Sequence, residues 1–109
     1  MAWLVRDGDV LATLEVASTF GERLRGLLGR DGVDGALLIE HARSVHTLGM
    51  RFPIDVAFLD STMTVVDVCS MRTWRPGRPR LRARFVLEAE AGAFERWHLQ
   101  PGDHLEIKG

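Results

Sequence analysis

Three residues of the types that hydrolytic enzymes use, Ser44, His46 and Asp55, stand close together in the sequence. On an extended strand Ser44 and His46 are two positions apart and share a face, so a hydrogen bond between them is feasible. The neighbours of Ser44 are Arg43 and Val45, which do not form a nucleophile elbow. A solvated serine and a histidine at a strand edge explain the pattern equally well. The sequence therefore leaves a hydrolytic site open without favouring it.

Asp55 is the most unusual of these residues because apolar side chains surround it. It belongs to the run Ile54–Leu59, which is typical of a strand with two mainly apolar faces. A buried carboxylate needs hydrogen-bond or charge partners. We expect a structural role, with backbone N–H groups or an arginine such as Arg30 or Arg51 as the partner. The alternative is a pocket in which Asp55 acts as a base or a ligand.

A candidate ligand-binding site follows if the fold gathers four residues into one pocket: Ser44, His46, Asp55 and Asp103. The four histidines show no metal-binding spacing, and no HExxH motif occurs, so a site built from His46, Asp55 and His104 would depend wholly on the fold. We expect no metal and no cofactor.

The lone Cys69 excludes an internal disulfide, and its strand setting predicts a small buried apolar side chain.

Residues 72–84 are strongly basic, with six arginines and no acid. The rest of the chain then carries eight basic and 15 acidic residues, a balance of −7, although the whole protein is at −1. An arginine fork suits bidentate anion recognition, and a nucleotide base could stack on Trp74. The candidate anion-binding residues are Arg75, Arg78, Arg80 and Arg82. Two prolines and a glycine predict an irregular, mobile loop. A solvated loop, or pairing of its arginines with the protein's own acids, is the simpler explanation, and nucleic acid is not the favoured partner.

Length and composition predict one globular domain, residues 1–109, since 46% of the residues are hydrophobic and 27% are charged. Arg6, Asp7 and Asp9 stand where a signal peptide needs an apolar run. We therefore expect a soluble, cytoplasmic protein without membrane insertion.

The elements that must position these residues are mostly strands. A hairpin is predicted over residues 3–16, and further strands over 36–39, 54–59, 63–71, 84–91 and 104–107. In the strand at 84–91 we expect Phe85, Leu87 and Ala89 to point inward and Glu88 and Glu90 to point to solvent. In the strand at 63–71 alternation predicts one face for every odd-numbered residue, so Cys69 shares it with Met63 and Val65.

One helix is predicted to begin at a Thr19–Glu22 capping box. It should continue through Gly26 to a stop at Gly29 and bury one apolar stripe on the sheet, formed by Phe20, Leu24, Leu27 and Leu28. A further helical turn is expected at 93–97. The fold class is α+β, a mostly β, small barrel-like or sandwich-like domain with one amphipathic helix in the N-terminal half.

Five motifs occur in a distinctive order: GLLGR, GALLIE, SVHTLGMRFPIDVAFLD, VLEAEAG and PGD. This order resembles the family called domain of unknown function 192 over about residues 18–107. The resemblance implies a small, mostly β domain with a helix near its start, and it implies no established reaction. The HTLGMRFPID segment resembles an actinobacterial variant, which implies a link to envelope or pilus assembly. His46 and Leu48-Gly49 replace the aromatic and the Lys-Asn pair of commoner relatives.

Three functions are compatible with these observations. The favoured one is a non-catalytic binding or accessory protein, with a protein or small-molecule partner. The first alternative is a small-molecule or hydrolytic site around His46, Asp55 and Asp103. The second alternative is anion or nucleic-acid binding through residues 72–84.

Overall fold

A computed structural model of the chain describes residues 2–109 and contains seven strands and two short helices. The strands are β1 (Ala2–Arg6), β2 (Asp9–Ala17), β3 (Ala36–Glu40), β4 (Ile54–Leu59), β5 (Val65–Met71), β6 (Phe85–Glu90) and β7 (Glu106–Lys108). The helices are α1 (Phe20–Arg25) and α2 (Ala93–Trp97). No helix in this described part of the chain is long and apolar enough to cross a bilayer. The predicted fold class, α+β and mostly β, is confirmed.

All seven strands form one sheet in the order β5-β4-β6-β3-β2-β1-β7. Neighbouring strands are antiparallel except β2 and β3, which are parallel. Residues 102–105 precede β7 and bond to the start of β5, where Val65 N donates to Asp103 O over 2.8 Å and Leu105 N donates to Met63 O over 2.9 Å. The last segment of the chain thus joins the two ends of the sheet and gives it a barrel-like closure.

Each face of the sheet has its own apolar core. The first core includes Leu4, Leu38, Leu87 and the α2 residue Phe94. The second core is built on the opposite face of the same strands and includes Ile54, Val56 and Phe58, together with Leu27 and other residues outside the sheet. All six residues of β4 are buried, as the two apolar faces of this strand predict.

The capping box of α1 is confirmed, but the predicted length and buried stripe of this helix are wrong. Thr19 Oγ1 accepts from Glu22 N over 3.1 Å, and Glu22 Oε1 accepts from Thr19 N over 3.0 Å. The helix ends at Arg25 because Gly26 follows with a φ of 49° and a ψ of −124°, outside the helical region. Phe20 and Leu24 are 71% and 65% exposed, whereas Leu27, beyond the helix, is 2% exposed.

A bulge in β5 changes which side chains share a face. Leu59 of β4 pairs with Val65, whereas its neighbour Phe58 pairs with Asp67, so β5 contains one extra residue. Val65 consequently packs in the first core and Cys69 packs against the second. The expectation that Cys69 shares a face with Val65 is therefore wrong.

The predicted orientation of Glu88 is also wrong. This residue was expected to face solvent, yet it is 2% exposed, while Glu90 on the same strand is exposed as predicted. Glu88 pairs in register with Leu37 of β3 and Val56 of β4, both buried in the second core. The alternation of side chains correctly predicted that Glu88 and Glu90 share a face of the strand. At Glu88 the second core covers this face, so the side chain does not reach solvent.

We predict that Leu27→Ala lowers the free energy of unfolding by about 2–5 kcal/mol, because the substitution removes a fully buried side chain. Leu24→Ala is the matched control and should change it by less than about 0.5 kcal/mol, since Leu24 lies on the surface. Urea denaturation followed by circular dichroism measures both. Equal effects of the two substitutions would contradict the ending of α1 at Arg25.

Candidate functional site

The basic segment 72–84 is packed against the protein through Thr47, which is fully buried. Thr47 N donates to Arg75 O over 2.9 Å, and Trp74 N donates to Thr47 O over 2.8 Å. The Thr47 hydroxyl donates to Arg72 O and accepts from Arg75 N. A buried side chain with all these bonds fixes the backbone of the segment. The segment is irregular, as predicted, but its backbone is packed against the protein and not simply solvated.

A second contact fixes the middle of the same segment. A Cβ atom on Gly77 would collide with the carbonyl oxygen of Val45, so only glycine allows this close approach. Further along, Arg80 N donates to Arg43 O over 2.9 Å. The neighbourhood of Ser44 and His46, which invited a triad, thus provides the backbone on which the basic segment lies.

Together these segments form a concavity of about 490 Å³, which we call the arginine cleft. Its walls carry four arginines, and its apolar surface comes from both the sheet and the loops. The arginines are Arg72, Arg75, Arg78 and Arg80, and the apolar residues are Val45, Phe58, Cys69, Met71 and Pro76. Three of the four predicted anion-binding residues therefore line one cavity. Arg82 does not line it, and Arg72 was missing from the predicted set.

The arginines of the cleft fall into two groups. Arg80 Nε donates to Asp67 Oδ2 over 2.8 Å, and the Arg80 guanidinium lies 4.2 Å from the ring centroid of Phe58. Arg80 therefore holds the wall together. Within residues 2–109, the guanidinium groups of Arg72, Arg75 and Arg78 have no carboxylate within salt-bridge distance. These three cations remain available to a ligand.

Cys69 lies in the wall of the arginine cleft and is a poor nucleophile. Burial raises the pKa of the Cys69 thiol, and the nearby Arg80 guanidinium opposes that shift only partly. The neighbouring Ser70 donates its hydroxyl proton to Asp55 Oδ1 over 2.9 Å, without a histidine between them.

Asp55 has the backbone N–H partners that the structural interpretation predicted, and it also lines a concavity. It is 5% exposed, and its Oδ2 accepts from Gly92 N over 3.0 Å and from Phe94 N over 3.1 Å. With the Ser70 hydroxyl on Oδ1, the carboxylate joins β4, β5 and the start of α2. Its partners are backbone N–H groups and a serine, and neither Arg30 nor Arg51 contacts it.

The structure does not gather the other candidate ligand residues around Asp55. Ser44 and His46 are exposed and do not line the concavity beside Asp55. Asp103 Oδ2 accepts from Arg6 over 3.0 Å and from Gln100 N over 3.0 Å, which stabilises the turn at Pro101-Gly102. No cluster of metal-ligating side chains occurs among residues 2–109.

A second concavity, of about 300 Å³, lies between α1 and the sheet; we call it the Glu88 cleft. Gly26, Arg30 and Leu37 line it. Glu88 Oε1 lies 3.7 Å from the position a Gly26 Cβ would occupy, and Glu88 accepts no hydrogen bond from any described residue. Burial raises the pKa of the Glu88 carboxyl to about 7, although the Arg30 charge acts in the opposite direction.

Comparison with known proteins identifies the family. Residues 2–107 match DUF192, described as "Uncharacterized ACR, COG1430". The chain belongs to this family. The match is longer than the predicted 18–107, because β1 and β2 are included.

Similar DUF192 relatives are the archaeal UPF0127 proteins. The chain is 38% identical over 96 residues to the protein of Thermococcus gammatolerans, and the alignment covers 83% of this chain and 63% of that protein. It is 33% identical over 98 residues to that of Pyrococcus abyssi, covering 85% of this chain and 84% of that one. The chain thus spans less than two thirds of the T. gammatolerans protein, and 64% of the one from Thermococcus sibiricus. The actinobacterial variant stays a prediction.

Two crystal structures share the DUF192 fold seen here. A Sinorhizobium meliloti 1021 protein, described as a candidate transcription regulator, aligns with a TM-score of 0.83 and 23% identity over 97% of this chain and 91% of that one. A protein of unknown function from Novosphingobium aromaticivorans DSM 12444 aligns with a TM-score of 0.81 and 20% identity over 96% and 82%. At these identities the likeness shows the fold alone.

We predict that Asp55→Ala lowers the free energy of unfolding by about 2–4 kcal/mol, because three donors lose a buried acceptor. Asp55→Asn should cost less, since an amide oxygen still accepts from the two backbone N–H groups. Urea denaturation measures both, with the exposed Asp34→Ala as control. A loss below about 0.5 kcal/mol for Asp55→Ala would contradict the structural role.

We also predict that Glu88 makes stability depend on pH. Its folded-state pKa, about 7, lies above the ordinary value of 4.5, so its contribution is full below pH 4.5 and is lost as pH rises through 7. In urea melts, wild type and Glu88→Gln should have similar stability at pH 5, and the wild type should lose about 2–3 kcal/mol relative to Glu88→Gln by pH 8, because only the glutamate ionises. Glu90→Gln, on the same strand but exposed, should keep the wild-type dependence of the free energy of unfolding on pH. An unchanged dependence in Glu88→Gln would disprove the assignment.

Proposed function

We propose that this DUF192 protein is a non-catalytic binding protein whose arginine cleft takes a small anionic ligand with an apolar part. The observation that carries this proposal is the presence of three guanidinium groups without acidic partners around one concavity with an apolar surface. Like charges held together repel one another, and an anion between them relieves that repulsion. Arginine also binds phosphate and carboxylate groups through paired N–H donors.

The packing of the basic segment supports the same proposal. Thr47 and Gly77 hold the backbone of residues 72–80 against residues 43–47, so the cleft exists before any ligand arrives. A preformed site loses less conformational entropy on binding than a mobile loop would. The apolar wall formed by Val45, Met71 and Pro76 favours a ligand with an aromatic or aliphatic group beside its charge.

Titration with phenyl phosphate tests this function, with binding measured by isothermal calorimetry at pH 7.5 and low salt. We predict that the wild type binds, and that Arg75→Ala combined with Arg78→Ala weakens binding roughly tenfold or more, since a hydrogen bond to a charged group contributes about 1.5–3 kcal/mol. Arg82→Ala is the matched control, because Arg82 is exposed in the same segment but outside the cleft.

Two further measurements sharpen this test. Inorganic phosphate should bind more weakly than phenyl phosphate if the apolar wall contributes. Both side chains in the double variant are exposed, so its thermal unfolding should match that of the wild type. Arg80 is left intact, because its contacts with Asp67 and Phe58 give it a structural role. Equal affinity of wild type and double variant would disprove the proposed function.

Nucleic acid is the polyanionic alternative, and the charge balance argues against it. Outside residues 72–84 the chain has a balance of −7, which repels a long polyanion while leaving the cleft open to a small one. We predict no measurable binding of a single-stranded oligonucleotide between about 50 and 200 mM salt, measured by fluorescence anisotropy. Tight binding that weakens steeply with salt, and that the Arg75/Arg78 double variant loses, would make nucleic acid the ligand instead.

We propose a cytoplasmic setting for this binding function. An accessory role in envelope or pilus assembly rests on the resemblance of the HTLGMRFPID segment alone and stays a prediction.

A further inference from the structure

We propose that the Glu88 cleft is a second binding site, separate from the arginine cleft, for a small ligand with a protonated amine or guanidinium group. The central observation is a carboxylate that is 2% exposed and accepts no hydrogen bond from residues 2–109. Removing most of a carboxylate from water without a hydrogen-bond partner makes its ionised form costly, and a cationic donor beside it lowers that cost. A cationic N–H donor supplied by a ligand is the partner that this carboxylate lacks.

Glu88 Oε1 lies beside the cleft, 3.7 Å from the position that a Gly26 Cβ would occupy. Gly26, which lines the cleft, lies over Glu88 and has no side chain to cover it. The φ of Gly26 is 49°, a conformation that residues with a side chain rarely adopt, so the covering position stays open. Leu37, in register with Glu88 on the neighbouring strand, also lines the cleft.

The protein's own cations do not neutralise Glu88. Arg30 is the nearest candidate, but its two terminal nitrogens bond to the carboxylate oxygens of Glu15 over 2.9 and 3.0 Å. This pairing lowers the pKa of the Glu15 carboxyl, chiefly through the hydrogen bond from Arg30. Arg30 is therefore held by an ionised partner on one side of the cleft and acts on Glu88 only through space.

The remaining charged groups of the cleft define the ligand further. Glu22 is occupied by backbone N–H groups of the α1 capping box, whereas Arg25 has no acidic partner among the described residues. From β3 and β4, the sheet residues beside Glu88 are Leu37 and Val56, which are apolar. Glu88 thus lies beside the cleft at Gly26 as an anion without a partner, and Arg25 lines the cleft as a cation without an acidic partner. A cationic ligand group suits Glu88, and Arg25 would tolerate a carboxylate on the same ligand.

Nuclear magnetic resonance titration with ethylammonium tests this site. We expect the Gly26 amide signal and the Glu88 carboxyl signal to shift on binding, and affinity to rise about tenfold from pH 6 to pH 8 as the ionised, binding-competent form of Glu88 becomes the main one. Glycine, which carries both an ammonium and a carboxylate, should also bind. Glu88→Gln should lose at least about tenfold in affinity, the loss expected for a charge-assisted hydrogen bond.

Glu90→Gln is the matched control, since Glu90 lies on the same strand and face but is exposed and paired with Arg96 at 2.6 Å. This variant should bind ethylammonium as the wild type does. Acetate probes the opposite charge and should not bind. Three results would overturn the proposal: no titratable shift with ethylammonium, equal binding by Glu88→Gln, or binding of acetate in its place, which would assign the cleft to an anion held by Arg25.

Discussion

Coverage of the central strands on both faces is the constraint on which the rest of this structure depends. β4 and β6 lie in the middle of the sheet with an apolar core on each side, so a polar side chain in β4 or in the middle of β6 is buried whichever way it points. Asp55 and Glu88 point to opposite faces. Asp55 receives three hydrogen bonds, and Glu88 receives none. One constraint therefore produces a carboxylate that joins strands and a carboxylate that is left for a ligand.

The same constraint explains why irregular segments are ordered in this protein. α1 has only six residues and buries none of them, so it cannot cover the outer face of the sheet by itself. Residues 42–52 and Ala83 contribute side chains to the second core instead, and Thr47 ties the first of these segments to the basic one. A loop that must cover a core cannot be free in solution. The arginines are thus presented on a backbone whose position is set by packing.

Local rules account for the parts of the fold that the sequence predicted correctly. The hairpin, the capping box and the strand at 54–59 depend on residues near one another in the chain. The end of α1 depends instead on the conformation of Gly26, which tertiary packing selects, and the stripe from Phe20 to Leu28 is equally compatible with a longer helix. The burial of Glu88 could not be predicted, because alternation gives the face of a side chain but not what covers it. The grouping of Arg75, Arg78 and Arg80 was predicted; the Thr47 contacts that order them join positions 25 or more apart.

Cys69 gives this architecture a practical consequence. It is the one thiol in the chain, it is half-buried, and it lies in the walls of two concavities, the arginine cleft and the one beside Asp55 and α2. Its side chain packs against the second core, so a fragment tethered there through a disulfide would reach the arginine cleft from a single attachment point, with no competing thiol in the chain. Because burial raises the pKa of this thiol, such tethering would proceed faster in mildly alkaline solution. The Cys69 thiol is thus a single attachment point for mapping which ligand groups the arginine cleft prefers.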